Sequence, residues 1–436
     1  MIDNSTFLER TVAFYTLGCK LNFSETSTIA KNLSDEGFKR VEFDQKADIY
    51  VINTCSVTEI ADKKCRQVIK KAISINPSAF VVVTGCYAQL KPDNIAKMNG
   101  VDLVLGSNEK FQMGEFLKNI EKRHHGEVIA GRVSSGVKFY PSYSMGDRTR
   151  CFLKVQDGCD YYCSYCTIPL ARGHSRNNTI EKTVALAQEA VAGGAKEIIL
   201  TGVNIGDFGK STGESFLELI KRLEADVEVG RIRISSIEPN LLSDEIIEFV
   251  ANSKKFMPHF HIPLQSGSDA VLQLMQRRYD TALFRRRVEK IRTLLPHAFI
   301  GVDVIVGVRG ETDAYFEEAC QFIDSLDISQ LHVFTYSERP NTRAIKMDLS
   351  VPIEIRKHRS QVLHQLSDKK TREFYKNFIG TKGVALIEGS ESGGKLSGYT
   401  ENYLQVEVPY NESLINTTIE LSLMKLNQSG DSFVIE

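Results

Sequence analysis

At 436 residues the chain has room for about three domains, one domain typically taking roughly 150 residues. Its 42% hydrophobic and 25% charged residues are those of a globular protein, and a formal net charge of −1 excludes a uniformly basic nucleic-acid binder, so any RNA contact must come from local patches. No run of about 18 apolar residues suggests a membrane helix. Met1-Ile2-Asp3-Asn4 lacks the basic start and apolar core of a secretory signal, so a cytoplasmic location is expected. Nine cysteines in that compartment point to metal or redox use rather than a disulfide framework.

In the first quarter of the chain, apolar runs alternate with helical patterns. Residues 12–17, 48–53, 80–84 and 101–105 read as strands, with helices near 25–36 and 58–74. Apolar strands separated by helices predict a parallel α/β sheet. Cys19, Cys55 and Cys86 each follow one of the first three strands. The carboxyl ends of parallel strands share one edge, where such sheets place their ligands, so these cysteines become neighbours in space. Small cysteines also end strands by chance, but three at equivalent places fit a three-thiolate cluster. Cys65, mid-helix, shares none of this placement.

Residues 126–147, with Ser134-Ser135-Gly136, Pro141 and Gly146, read as a linker between a first domain over 1–125 and a second over 148–350. In the second, strands are expected at 151–157, 197–203, 231–237, 259–264, 299–307 and 331–336. Helices are expected near 179–192, 214–225, 242–253, 269–294 and 312–325. Six βα units predict a partial (β/α)6 barrel with its active residues at the strand carboxyl ends.

Just after the first of these strands lies Cys159-Asp160-Tyr161-Tyr162-Cys163-Ser164-Tyr165-Cys166, the pattern CxxxCxxC. Three thiolates fit a 4Fe-4S cluster with one iron left open. A zinc loop competes with that reading, but zinc sites usually supply four ligands and no fourth Cys or His follows at zinc-ribbon spacing.

Residues 351–376 form a connecting helix with seven Lys/Arg against three acids. The tail over 377–436 has short strands and turn signals that suit a small β-barrel. It carries three lysines against eight acids, a net of −5. The fold class is therefore α/β: a parallel-sheet domain, a partial barrel, and a small β-barrel at the end.

At Cys159–Cys166 the sequence resembles the radical S-adenosylmethionine (SAM) superfamily. With Cys19/Cys55/Cys86, Cys166-Thr167-Ile168-Pro169, His261-Ile262-Pro263-Leu264-Gln265-Ser266-Gly267-Ser268 and Asp303-Val304-Ile305-Val306-Gly307, it resembles the radical SAM methylthiotransferase family. Gly398-Tyr399-Thr400-Glu401-Asn402-Tyr403 resembles that family's TRAM domain. Leu170-Ala171-Arg172-Gly173 and Ser235-Ser236-Ile237-Glu238-Pro239 favour the branch acting on N6-threonylcarbamoyladenosine of tRNA. Where the family usually shows Phe-Pro, this chain has Val308-Arg309.

The resemblance implies two 4Fe-4S clusters, held by Cys159, Cys163 and Cys166 and by Cys19, Cys55 and Cys86. The first would bind SAM and generate a radical; the second would carry the sulfur that is methylated and delivered, using two SAM per turnover. It implies SAM contacts at Thr201, Gly202, Asn204, Ser235, Ser236, Glu238, Gln265, Asp303 and Gly307, with Arg176 at the SAM carboxylate. Each also fits a strand-end residue that touches no ligand. Phosphates of the tRNA anticodon stem-loop are expected at Arg172, Lys357, Arg359, Lys369 and Lys370, and also at Lys63, Lys64, Arg66, Lys70 and Lys71 or Arg285, Arg286 and Arg287. The expected product carries a methylthio group on C-2 of the modified adenosine at position 37. A flavodoxin or ferredoxin would supply electrons to a monomeric enzyme. The alternatives are an isopentenyl-type adenosine, a ribosomal protein, or a non-enzymatic electron carrier.

Overall fold

The computed structural model describes residues 10–118, 120–133, 138–144 and 149–436. Ser134-Ser135-Gly136 and Gly146 of the expected linker lie outside the described residues.

The N-terminal unit runs β1 (Thr11–Thr16), α1 (Lys20–Asp35), β2 (Lys39–Val41), β3 (Ile49–Thr54), α2 (Glu59–Ile75), β4 (Phe80–Gly85), α3 (Cys86–Leu90), α4 (Pro92–Ala96), β5 (Leu103–Leu105), α5 (Met113–Leu117) and β6 (Glu127–Ile129). Its strands pair in the order β2-β1-β3-β4-β5-β6, all parallel. Every residue of β3 and β4 is buried, as strands covered by helices on both faces require. The first helix starts five residues earlier than the sequence pattern suggests, so Cys19 is its N-cap. β6 falls in the stretch read as linker; its three residues, two of them exposed, give too short an edge strand to show in periodicity.

The second unit follows as β7 (Arg150–Lys154), β8 (Gln156–Asp157), α6 (Ile168–Arg172), β9 (Arg176–Asn177), α7 (Ile180–Ala192), β10 (Glu197–Thr201), α8 (Phe216–Asp226), β11 (Arg231–Ile234), α9 (Asp244–Asn252) and β12 (His259–Gln265). It continues with α10 (Asp269–Leu274), α11 (Thr281–Leu294), β13 (Phe299–Val306), α12 (Asp313–Asp324) and β14 (Gln330–Thr335). Two parallel ladders, β11-β10-β7 and β12-β13-β14, are joined by bridges Ile232↔Phe256 and Ser236↔His261. Six parallel strands in the order 7-10-11-12-13-14 make the partial (β/α)6 barrel around one continuous apolar core. The pattern over 269–294 is two helices rather than one. Gln276 adopts φ +57° and turns the chain between them.

The long helix α13 (Ile353–Lys376) packs along β14 and leads to β15 (Thr381–Ser392), β16 (Lys395–Thr400), β17 (Gln405–Pro409), β18 (Thr418–Leu423) and β19 (Phe433–Val434). These form a bulged five-stranded sheet, β18-β15-β16-β17-β19, antiparallel except for the last pair. Arg231 donates to Tyr399 O (3.0 Å), Arg233 to Thr400 O (2.7 Å), and Asn402 to His297 O (3.2 Å). Arg231 opens β11 and His297 stands two residues before β13, while Arg233 reaches back from within β11. The C-terminal sheet therefore caps the end of the barrel opposite the strand carboxyl ends.

Candidate active site

The CxxxCxxC loop leaves β8 through Gly158, whose φ is +71° and where a Cβ would lie 2.0 Å from His174 O. Only glycine fits both demands. Cys159 N–H donates to Gly173 O (3.0 Å), Cys166 N–H to Cys163 O (3.0 Å), and Ser164 N–H to Met275 O (3.0 Å). These bonds fold three cysteines inward. Burial, with the neighbouring Cys163 adding to the rise, pushes the Cys159 and Cys166 thiols up to about 12. Arg277, from the turn between α10 and α11, donates to Cys163 Sγ (3.1 Å) and pairs with Glu238.

The N-terminal cysteines converge as the parallel sheet requires. Gly18 (φ +101°) precedes Cys19, and a Cβ there would meet Cys55 Cβ at 2.8 Å. Gly85 (φ +94°) precedes Cys86, where a Cβ would meet Thr54 O at 2.4 Å. Burial pushes the Cys55 thiol up to about 12, with Cys86 and Cys19 both adding to the rise. Cys65 is not remote from this set. It is fully buried, and its thiol donates to Cys55 O (3.3 Å), bracing the Cys55 loop from behind.

A cavity of about 210 Å³ lies beside the CxxxCxxC loop, where the N-terminal unit meets the barrel strand ends. Cys166, Thr167 and Ile168 line one wall; Val57 and Thr58, directly after Cys55, line another. The strand ends supply the rest, through Gln265, Asp303, Ile305 and the segment from Phe334 to Ser337. Gln265 is strained at φ +66°, and its buried Oε1 has no partner among the described residues. A strained residue aiming an orphan acceptor into a cavity is a ligand-binding signature. Asp303 Oδ1 accepts from His261 Nε2–H (2.7 Å), and the His332 ring lies 5.0 Å from that of His261. Burial holds His332 below its ordinary value.

The remaining sequence-predicted SAM residues divide. Thr201 ends β10 and Gly202 and Asn204 form the turn after it, held by Gln156 Oε1, which accepts from Val203 N–H (3.0 Å) and Asn204 N–H (2.8 Å). Asn204 Oδ1 is buried without a partner among the described residues. Ser235 and Ser236 follow β11, and Ser236 bridges to His261. Glu238 is engaged by Arg277. Gly307 (φ +78°) is a turn packed against the Arg356 side chain, and its N–H donates to Glu311 Oε2 (2.6 Å). Val308-Arg309 is likewise structural: Val308 is buried, and Arg309 donates to Glu338 Oε1 (2.9 Å) and Met347 O (2.8 Å).

Three residues expected at phosphates are instead internal. Arg172 is 2% exposed and binds Glu25 (3.0 and 3.1 Å), Asp157 (3.0 Å) and Asn22 (2.6 Å). Arg359 is bound by Glu311 and Asp313, both at 2.6 Å. Lys370 donates to Leu326 O (2.7 Å) and Asp324 O (3.0 Å). Long basic side chains on an amphipathic pattern look solvated, yet here their heads satisfy carbonyls and carboxylates inside. Lys357 and Lys369 are exposed, but pair with Glu354 (3.0 Å) and Asp324 (3.2 Å). Arg176, expected at the SAM carboxylate, spends its donors on Asp157 (2.9 Å), Arg172 O (2.6 Å) and His174 O (3.0 Å).

Glu25, which no motif marks, is the hub that joins the two units. Buried in α1, it accepts from Lys110 (2.5 Å), from Lys154 of β7 (2.9 Å) and from Arg172 of α6. Burial opposes its ionisation, but Arg172, Lys110 and Lys154 hold the carboxyl well below the usual range. A second tie stands across the cleft, where Arg339 binds Asp62 (2.9 Å) and Ser56 (2.5 Å). Both ties engage segments that begin at a cysteine: Asn22 and Glu25 lie in the helix that Cys19 caps, and Ser56 is next to Cys55.

The barrel, the CxxxCxxC loop at its carboxyl end and the cavity beside it define a radical SAM enzyme with a second three-cysteine unit packed over its mouth. The superfamily profile named radical SAM matches residues 153–323, and one described as "Uncharacterized protein family UPF0004" matches residues 11–106. The threonylcarbamoyladenosine tRNA methylthiotransferase MtaB of Bacillus subtilis is 39% identical over 95% of this chain and 94% of its own. That of Thermotoga maritima is 38% identical over 91% of each. A tRNA-2-methylthio-N(6)-dimethylallyladenosine synthase of Endomicrobium trichonymphae is 32% identical over 87% of this chain and 88% of its own. The methyltransferase TsrM of Kitasatospora setae shares the fold, with a TM-score of 0.55 at 15% identity over 77% of each chain. The chain belongs to the radical SAM methylthiotransferase family, alongside its MtaB members.

Proposed function

We propose that this chain is a tRNA methylthiotransferase that places a methylthio group on C-2 of N6-threonylcarbamoyladenosine at position 37. The observation that carries the reading is a cavity with Cys166 on one wall and Val57 and Thr58, two and three residues after Cys55, on another. The donor sets fit the groups they would hold. Each offers three converging thiols, which suits a 4Fe-4S cluster with one open iron. When bound, the clusters and SAM supply one-electron radical chemistry and sulfur delivery.

The chain's own residues bind, orient and shield. Cys159, Cys163 and Cys166 would hold the SAM-binding cluster, and Cys19, Cys55 and Cys86 the other. Arg277 places a fixed positive charge against Cys163. Gln265 and Asp303 offer polar atoms to a ligand in the cavity. The Glu25 and Arg339 ties fix the two sets relative to each other, and a group passed between them requires that fixed spacing. The electron donor in this reading is a flavodoxin or ferredoxin, and one chain carries the complete site.

The test is mass spectrometry of tRNA nucleosides from cells with and without the gene. Loss of the methylthio form of threonylcarbamoyladenosine alone is expected. Loss of the methylthio isopentenyl nucleoside instead would move the substrate to that branch. Unchanged tRNA with a demethylthiolated ribosomal protein would refute the RNA reading.

A further inference from the structure

Helix α2 leads straight out of the cavity. Its N-cap, Thr58, lines the cavity wall, and Thr58 Oγ1 accepts from Ala61 N–H (3.1 Å). At 100° per residue, Ile60, Lys63, Lys64, Gln67, Lys70 and Lys71 fall on one face. All six are exposed, while Asp62, Cys65, Ile69 and Ala72 are buried on the other. Lys63, Lys64, Lys70 and Lys71 have no ion-pair partner among the described residues. The stripe from Lys63 to Lys71 spans about 12 Å, eight steps of 1.5 Å. At the cavity end it begins with Ile60, 70% exposed, and Val57, 55% exposed.

Of the other cationic candidates, Arg287 pairs with Asp244 and Arg285 donates to Ser325 Oγ (2.7 Å). Arg356, Arg359 and Lys370 on α13 are buried and engaged. The C-terminal sheet has a net charge of −5 and caps the far end of the barrel, about 20 Å away by the length of a six-residue strand. A nucleic acid delivering one base to the cavity must run its backbone over the surface beside the cavity mouth.

We propose that the exposed face of α2 is the phosphate-binding track for the RNA substrate, with Val57 and Ile60 as the apolar lip beside which the target base leaves its stack. This rests on the RNA reading above. Four lysines along one face without ion-pair partners among the described residues, with Glu59 exposed at the helix start and Asp62 buried behind it, complement a polyanion. Each phosphate neutralised on single-stranded RNA contributes a salt slope of about −0.7, a factor of about 5 at 0.1 M salt.

The experiment is a salt titration of anticodon stem-loop RNA binding to the full, cluster-loaded chain. In one variant Lys63, Lys64, Lys70 and Lys71 are all replaced by Gln. In the control variant Lys357, Lys369 and Lys376 of α13 are replaced by Gln. If two to four phosphates are no longer neutralised, the α2 variant should bind about 25-fold to 600-fold more weakly at 0.1 M salt, and its slope should flatten by about 1.4 to 2.8. Iron content and RNA-independent SAM cleavage should stay unchanged, and the control should bind as wild type. An unchanged slope in the α2 variant, with normal wild-type binding, would overturn the track alone. No salt-dependent RNA binding by the wild-type chain would overturn the RNA reading with it.

Discussion

Replacing Glu25 by Ala tests the physical basis of the two-unit architecture. Glu25 is fully buried and faces Lys110, Lys154 and Arg172, with Asp157 the remaining acid in the group and Arg176 a further cation on it. Four cations already outnumber two acids; removing Glu25 leaves one acid for four. Breaking a buried pair by removing one partner costs about 3–5 kcal/mol, because the other charge stays desolvated. For a unit of this size that corresponds to a fall in melting temperature of about 6–20 °C, at 2–4 °C per kcal/mol. Thermal unfolding of the apo chain by circular dichroism reads the shift, and limited proteolysis between residues 130 and 150 reads undocking of the units. Glu25→Gln, which keeps the shape and an acceptor, should fall between wild type and Glu25→Ala. A shift under about 2 °C for Glu25→Ala, with no new proteolysis, would refute the hub. The pH dependence has a definite sign. The folded carboxyl lies well below its ordinary 4.5, so its contribution is complete above about pH 4.5 and is lost as pH falls below that.

Three further outcomes follow from the cysteine sets. Cys163→Ala should abolish SAM cleavage and remove about four of roughly eight irons per chain, whereas Cys86→Ala should remove as many yet keep SAM cleavage; quantitative iron analysis with 5′-deoxyadenosine assay separates them. Gly158→Ala forces a Cβ to 2.0 Å from a backbone oxygen at φ +71°, so loading of the CxxxCxxC set should fall at least tenfold while the N-terminal set still loads, read by spectroscopy after reconstitution. The buried thiols of Cys55, Cys159 and Cys166 stay protonated in the fold up to about pH 12, but ionise above about 9 when unfolded. Apo-chain stability should therefore decline as pH rises above about 9, and urea midpoints at pH 8 and pH 10 would show it; equal midpoints would contradict the burial of these groups.

What was legible in the sequence was local or periodic. CxxxCxxC declares itself within eight residues, and the strand-end placement of Cys19, Cys55 and Cys86 follows once the sheet is parallel. What was not legible depends on partners far away in the chain. Arg172 reads as a surface cation because nothing nearby shows that Glu25, 147 residues earlier, will enclose it. Arg359 and Lys370 misread for the same reason: an amphipathic pattern cannot tell a solvated head from one capping a carbonyl inside. The turn at Gln276 is hidden because its flanks both favour helix, yet it brings Arg277 to Cys163. Cys65 does lie mid-helix, but its bond to Cys55 O is invisible in a pattern that says nothing about what lies behind the helix.

The most direct test of the central claim is turnover by the purified, reconstituted chain with SAM, a strong reductant and tRNA bearing N6-threonylcarbamoyladenosine. The methylthio nucleoside is expected, with 5′-deoxyadenosine and S-adenosylhomocysteine formed in equal amounts. Formation of 5′-deoxyadenosine without methylthio product, from a preparation with both clusters loaded, would contradict it.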